Sequence, residues 1–220
     1  MKIQQINSRN IVFSDDRADR FFDLNIHLIM GTKNNYLIDT GLGSEFVQPV
    51  LEYLEHSEKS LVIINTHHHW DHVFGNHVFK DHLIVSHQLC RELIIKNWDE
   101  MLDKYSKFGM GTVEQHLPNL VFENELYFPE DKVRLIYTPG HTIDSISVID
   151  EEEKVINVAD NIGDSMDEII PNLYCDKQLF EETIKRYSEM DMETWISGHN
   201  VVLQKDVIGK IEEAMKKHSY

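Results

Sequence analysis

The run His67-His68-His69-Trp70-Asp71-His72 gathers more ligand-type side chains than a packed core asks for. Thirteen histidines occur in 220 residues, and seven of them fall between His67 and His87. An unpaired imidazole is costly to bury, whereas imidazole is the commonest metal ligand. Side chains alternate along extended backbone, so His67 and His69 point one way and His68 the other. Two imidazoles at that spacing can share one metal ion. If the chain then turns into a short helix, Asp71 and His72 at its start face the same pocket and suit a second ion. Two ions need further ligands, and three later residues have the right character. His141 follows a Pro-Gly turn, Asp160 closes the run Val155-Ile156-Asn157-Val158-Ala159, and His199 follows Ser197-Gly198. Each ends a β-type run beside a loop, where open α/β folds build their sites.

Two divalent ions about 3.5–4 Å apart share a water whose pKa falls from 15.7 toward about 7, giving hydroxide at neutral pH. Two such ions bring four positive charges, and Asp71, Asp160 and the hydroxide remove three. A net positive pocket stabilises the anion formed on attack at a carbonyl or phosphoryl centre. The expected chemistry is hydrolysis, with Asp71 placed to steer the proton. Histidine and carboxylate ligands suit zinc, iron and manganese; zinc is the first expectation.

The elements that must hold these residues alternate. Segments 24–30 and 34–40 form an apolar hairpin around Gly31, Lys33 and Asn34. Ser44 is expected to cap a helix over 45–56 that buries Phe46, Val50, Leu51 and Leu54. The apolar run 61–65 fits a strand buried on both faces, and 82–86 is a second strand. Residues 88–117 read as helix, broken at Gly109 and Gly111, and 88–125 is expected as a helical insertion beside or over the site. Further strands are expected at 133–138, 145–150, 154–159 and 194–197, with helices at 177–190 and 205–217. Strands alternating with helices indicate an α/β domain, sheets sandwiched between helices, over residues 1–220.

Acidic residues outnumber basic ones, giving a formal charge of −17. Such a surface repels phosphate backbones and anionic membranes, so a small-molecule substrate is expected rather than nucleic acid or a membrane. Neither an apolar leader nor a membrane-length apolar run is seen. Cys90 and Cys175 lie far apart and outside any C-x-x-C pattern, as for reduced thiols in a cytoplasmic protein.

The motif HxHxDH at 67–72, the TPGHT at 138–142, the Asp at 160 and the SGH at 197–199 resemble the metallo-β-lactamase superfamily, and the IDTG at 38–41 adds an earlier element. The resemblance spans 67 to 199 in order. It implies a four-layer αββα sandwich. It implies that His67, His69 and His141 hold a first ion, Asp71, His72 and His199 a second, and that Asp160 bridges them. It gives Asp39 the task of orienting a ligand histidine, in keeping with the second N–H that ligand imidazoles donate. His68 is expected to support rather than bind, His77, His82 and His87 to lie on the surface or behind the ligands, Trp70 to belong to the core, and Asp164 and Asp167 to be solvated loop residues.

True β-lactamases of the superfamily commonly depart from the bridging carboxylate, whereas thioesterases, lactonases and phosphodiesterases keep all seven ligands. A small ester, thioester or lactone is therefore expected as substrate. Glyoxalase II proteins carry a C-terminal helical domain, and the tRNA-processing nucleases a basic arm, that this sequence does not match. Flavodiiron proteins, a redox alternative, typically carry Glu where this chain has His69. Residues 165–175, with Ile169, Ile170, Pro171 and Tyr174, are expected to supply an apolar wall.

Overall fold

In the computed structural model, residues 1–15 and 23–217 are described. The first half builds one sheet from β1 (Lys2–Gln5), β2 (Asn10–Asp15), β3 (Leu24–Met30), β4 (Asn34–Ile38), β5 (Ser60–Asn65), β6 (Leu83–His87) and β7 (Leu120–Phe122), in that spatial order. The second half builds another from β8 (Glu125–Phe128), β9 (Val133–Tyr137), β10 (Ile146–Asp150), β11 (Val155–Asn157), β12 (Thr194–Ile196) and β13 (Leu203–Gln204), again in chain order across the sheet. Helices α1 (Gln48–Tyr53), α2 (Trp70–Val73) and α3 (Gln88–Tyr105) follow strands of the first sheet. Helices α4 (Lys177–Ser188) and α5 (Val207–Lys217) belong with the second.

Period-two alternation sets the layers. Tyr36, Ile38, Val62 and Ile64 face Val133, Leu135, Ile146 and Val148 in an apolar layer between the sheets. Their neighbours Leu37, Leu61 and Ile63 turn outward into the layer with Val50, Trp70, Ile94 and Trp98 of α1 to α3. On the far side Ile136, Ile149 and Ile156 meet Phe180, Ile184, Ile208 and Ile211 of α4 and α5. The result is the four-layer αββα sandwich. Strands β4, β5 and β6 run parallel, as do β11 and β12. Their C-terminal ends therefore open onto one rim.

Two expected helices are shorter than the sequence pattern suggests. The first spans only Gln48–Tyr53, and Ser44 does not cap it. The Ser44 hydroxyl instead accepts from Thr112 N (2.9 Å), and the amides of Ser44 and Glu45 donate to the carbonyls of Thr112 and Met110. Segment 44–45 is thus committed to a loop partner, and the helix starts beyond it with Pro49 in its first turn, where a missing N–H costs nothing. Helix α3 stops at Tyr105, before a single 3₁₀ turn, Ser106–Phe108. Gly111 then adopts φ +72°, a backbone state glycine tolerates, and a Cβ there would overlap the Ser44 hydroxyl. So the segment 88–125, expected as helical, is helix over its first part, and Leu120–Phe122 pairs in parallel with β6. No described helix is long and apolar enough to cross a membrane.

One buried group away from the rim has a measurable consequence. His27 on β3 meets Asn10 Oδ1 through Nε2 (2.9 Å), and its Nδ1 finds no partner among the described residues. Burial brings its pKa from the ordinary 6.5 down to about 3. The unfolded chain therefore binds a proton between those two values that the folded chain refuses, and stability falls as pH falls through that window. The slope is at most about 1.4 kcal/mol per pH unit. Urea unfolding of the metal-free protein from pH 6.5 to 4 should show a steeper loss for wild type than for His27→Gln; parallel curves would contradict this.

Candidate metal centre and its pocket

The rim assembles seven side chains from four places. Strand β5 ends at Asn65 and the chain bends through His67 and His68 before α2; His67 and His69 enter the ligand cluster and His68 does not. His69 is the N-cap residue of α2, which places Asp71 and His72 in its first turn. His141 follows β9 through the Pro139-Gly140 turn. Asp160 lies in a 3₁₀ turn, Ala159–Asn161, three residues beyond the end of β11 rather than at its last position. His199 follows β12. One ligand atom from each of His67, His69, His141 and Asp160 lies within 4.8 Å of the others, and Asp71, His72 and His199 form a second group on the same criterion.

Asp160 joins the two groups. Its Oδ2 lies 3.6 Å from Nε2 of His67 and of His141, and 3.3 Å from Nε2 of His72 and of His199. Asp71 Oδ2 is 3.4 Å from His199 Nε2. His69 Nδ1 faces His141 Nε2 at 3.1 Å. Gly198 packs against this carboxylate: a Cβ at that position would overlap Asp160 Oδ1.

Each of four imidazoles is held from behind. The Asp39 carboxylate accepts from His72 Nδ1 (2.8 Å), from the Thr66 hydroxyl (2.7 Å) and from Thr66 N (2.8 Å). His67 Nδ1 lies 3.1 Å from the Thr66 hydroxyl. The carbonyl of Asn172 accepts from His141 Nδ1 and that of Asp23 from His199 Nδ1, both at 2.7 Å. With Nδ1 engaged outward, Nε2 is left facing the centre. Asn161 adds a further brace: its Oδ1 accepts from His141 N (2.8 Å), and its amide donates to Thr138 O (2.8 Å).

Inside the cluster, Nε2 of His67 and of His72 and Oδ1 of Asp160 are buried without a hydrogen-bond partner among the described residues. Buried polar atoms are normally satisfied, and two such imidazole nitrogens beside Asp160 Oδ2 suit a divalent cation. Burial holds His67 well below its ordinary pKa and brings His69 to about 3, so both are neutral donors. Burial pulls His72 and His199 the same way, but the carboxylates, Asp160 first, outweigh it and hold both well above the ordinary value. For Asp160 burial acts upward, and His72, His199 and His67 together keep it well below the carboxylate range. A cation bound at these atoms takes the place of the protons on His72 and His199.

The centre forms the floor of a cavity of about 460 Å³. His68 stands in its wall with Nδ1 2.9 Å from Asp144 Oδ1, a buried carboxylate. His87 instead serves α3, where its Nδ1 accepts from Leu89 N (3.1 Å). His82 is exposed and His77 half-buried. The apolar wall expected from 165–175 is met in part: Pro171 and Tyr174 line the cavity with Asn172, whereas Ile169 and Ile170 pack toward α4 and α5. Trp70, Met101, Tyr105 and Phe108 also line it. Asp164 is exposed on the cavity rim, and Asp167 lies outside it on the same loop. Asp144, Asn161 and the two carbonyls were not legible as site residues; an Asp three positions after His141 is the one signal that could have been weighed.

A metallo-β-lactamase superfamily model matches residues 20–199, and the chain belongs to that superfamily. Among curated relatives, one probable metallo-hydrolase of Methanocaldococcus jannaschii is 29% identical over 146 residues, 66% of this chain and 59% of the relative. A second from the same organism is 32% identical over 144 residues, 61% of this chain and 66% of the relative. The chain thus spans under two thirds of the length of each. Among solved structures, a metallo-β-lactamase from Pontibacter korlensis superposes with a TM-score of 0.76 at 15% identity, covering 99% of both chains. The metallo-β-lactamase DIM-1 gives 0.75 at 14% identity, covering 98% of this chain and 96% of its own. Likeness at that identity concerns the fold.

Asp39 acts on the centre through His72 and Thr66. Asp39→Asn should weaken cation binding by about 10- to 100-fold, the usual effect of losing such a support, while leaving the fold in place. Competition with a chromogenic chelator measures it; unchanged affinity would show that the Asp39–His72 contact is dispensable.

Proposed function

We propose that this chain is a metal-dependent hydrolase of small esters, thioesters or lactones. His67, His69 and His141 would hold one divalent ion and Asp71, His72 and His199 a second, with Asp160 shared; zinc is the expected ion, iron or manganese the alternatives. The observation that carries the reading is Asp160 Oδ2, set within 3.3–3.6 Å of four inward-facing imidazole nitrogens at the floor of an open cavity. Such ions, when bound, supply an activated water and an electrophile for the substrate's carbonyl oxygen.

The protein's own groups do the rest. Asp39, Thr66 and the carbonyls of Asn172 and Asp23 keep the imidazoles in one tautomer and orientation. Asp71 borders the cavity and is ionised: burial acts upward on it, and His72 and His199 outweigh burial. It is placed to take the proton of the attacking water and pass it to the leaving oxygen or sulfur. In the net reaction the acyl C–O or C–S bond breaks, a C–O bond to water forms, and the proton ends on the leaving group. The charge of −17 and an acidic rim residue, Asp164, favour a small uncharged substrate over nucleic acid. Two free cysteines fit a reducing, cytoplasmic setting.

The test is a panel of 4-nitrophenyl acetate, an acetyl thioester, a γ-lactone and bis(4-nitrophenyl) phosphate with the metal-loaded protein. Chelator-sensitive turnover of one of the first three, above the phosphodiester, supports the reading. Cleavage of the phosphodiester alone would overturn the substrate assignment.

A further inference from the structure

We propose that Trp70, Met101, Tyr105 and Phe108 bind an uncharged apolar arm of the substrate, so that medium-length aliphatic or aryl esters are preferred to acetates and to esters ending in a carboxylate. This deepens the hydrolase reading of the same cavity and rests on it.

Trp70 lies between His69 and Asp71 in the chain, and its side chain lines the cavity. It stacks on Tyr105 with ring centroids 4.9 Å apart and planes 7° from parallel, and Phe108 lies against it at 5.5 Å. Phe74 backs Trp70 at 5.8 Å and meets Trp98 at 5.5 Å, tying the ledge to the core. Trp70 and Met101 are nearly covered, at 9% and 6% exposure, so the accessible surface of the ledge belongs to the half-buried Tyr105 and Phe108. On α3 the cavity-facing residues Asn97, Met101, Lys104 and Tyr105 recur at helical spacing, and Phe108 continues them on the following turn. One side of this helix is therefore turned to the cavity while Ile94 and Trp98 enter the core.

Charge on the walls selects the arm. Among the described residues of the cavity wall Lys104 is the one Lys or Arg, and it is paired with Glu100 one helical turn away. Asp164 stands exposed on the rim. Among the described residues, an anionic arm would find no unpaired Lys or Arg on this wall and a repelling carboxylate near it. A rigid aromatic ledge in a cavity of about 460 Å³ is what a small apolar group requires.

Two ester series test the proposal on metal-loaded protein: 4-nitrophenyl esters from acetate to octanoate, and acetates of alcohols from methanol to hexanol. In at least one series kcat/KM should climb by about fourfold per added methylene over the first few carbons. Tyr105→Ala and Phe108→Ala should each lower the ratio of six-carbon to shortest ester by on the order of tenfold. The 4-nitrophenyl monoester of adipic acid, a hexanoate with a terminal carboxylate, should be at least about tenfold poorer than the hexanoate. Using ratios within one variant removes any general loss of folded enzyme. Flat series in an enzyme that cleaves acetates, slopes unchanged in both variants, or adipate matching hexanoate would each overturn the apolar arm while leaving the hydrolase reading intact. Absence of chelator-sensitive cleavage throughout both series would remove the hydrolase reading and this inference with it.

Discussion

Asp160→Ala should leave a folded protein that fails to retain its divalent ions and loses at least about 10³-fold in turnover, the scale set by losing preorganised charge stabilisation. Four imidazole nitrogens converge on the Oδ2 of this carboxylate, and the other oxygen has no hydrogen-bond partner among the described residues. Removing it separates the two ligand groups rather than deleting one arm of one group. Asp160→Asn keeps the shape and removes the charge, which distinguishes electrostatic loss from collapse of the cluster. Elemental analysis and circular dichroism on both variants make the check. Wild-type metal content with wild-type turnover in both would show that Asp160 is not shared between ions.

Asp71→Asn should separate binding from proton transfer. At saturating metal its kcat should fall by about 10²- to 10⁴-fold, the range for losing a positioned acid–base group, with a smaller change in KM. The side chain stands in the first turn of α2 and reaches His199 Nε2 at 3.4 Å, so the variant should also weaken the second ligand group. Titrating metal until turnover plateaus isolates the kcat effect. A plateau equal to wild type would restrict Asp71 to metal binding and move proton transfer to another group.

The residues that the structure brings together could be singled out in the sequence because each is a histidine or aspartate in or just after a β-type run. Asp39 was legible for the same reason, at the end of β4. Their supports were less so. Asn172 and Asp23 contribute carbonyls, which any residue at those positions would offer, and Asn161 acts through a loop path that only the fold reveals. Strand β1 was missed because its four residues are all exposed and carry no apolar alternation. Strands β7 and β8 were too short to announce a period, and the helical pattern before them ran past its true end at Tyr105. Ser44 was misread because its hydroxyl has a tertiary partner, Thr112, 68 residues away in sequence. The apolar wall expected from 165–175 is present only in part, for a related reason. Pro171 and Tyr174 line the cavity, but the second sheet's helices claim Ile169 and Ile170, and Trp70, Met101, Tyr105 and Phe108 supply the rest.

Metal content per chain, on protein purified without an affinity tag or added metal, tests the central claim most directly. Near two equivalents of a divalent ion per chain, zinc first, is the predicted result. A chain that holds none and takes up none on titration would contradict the account at its base.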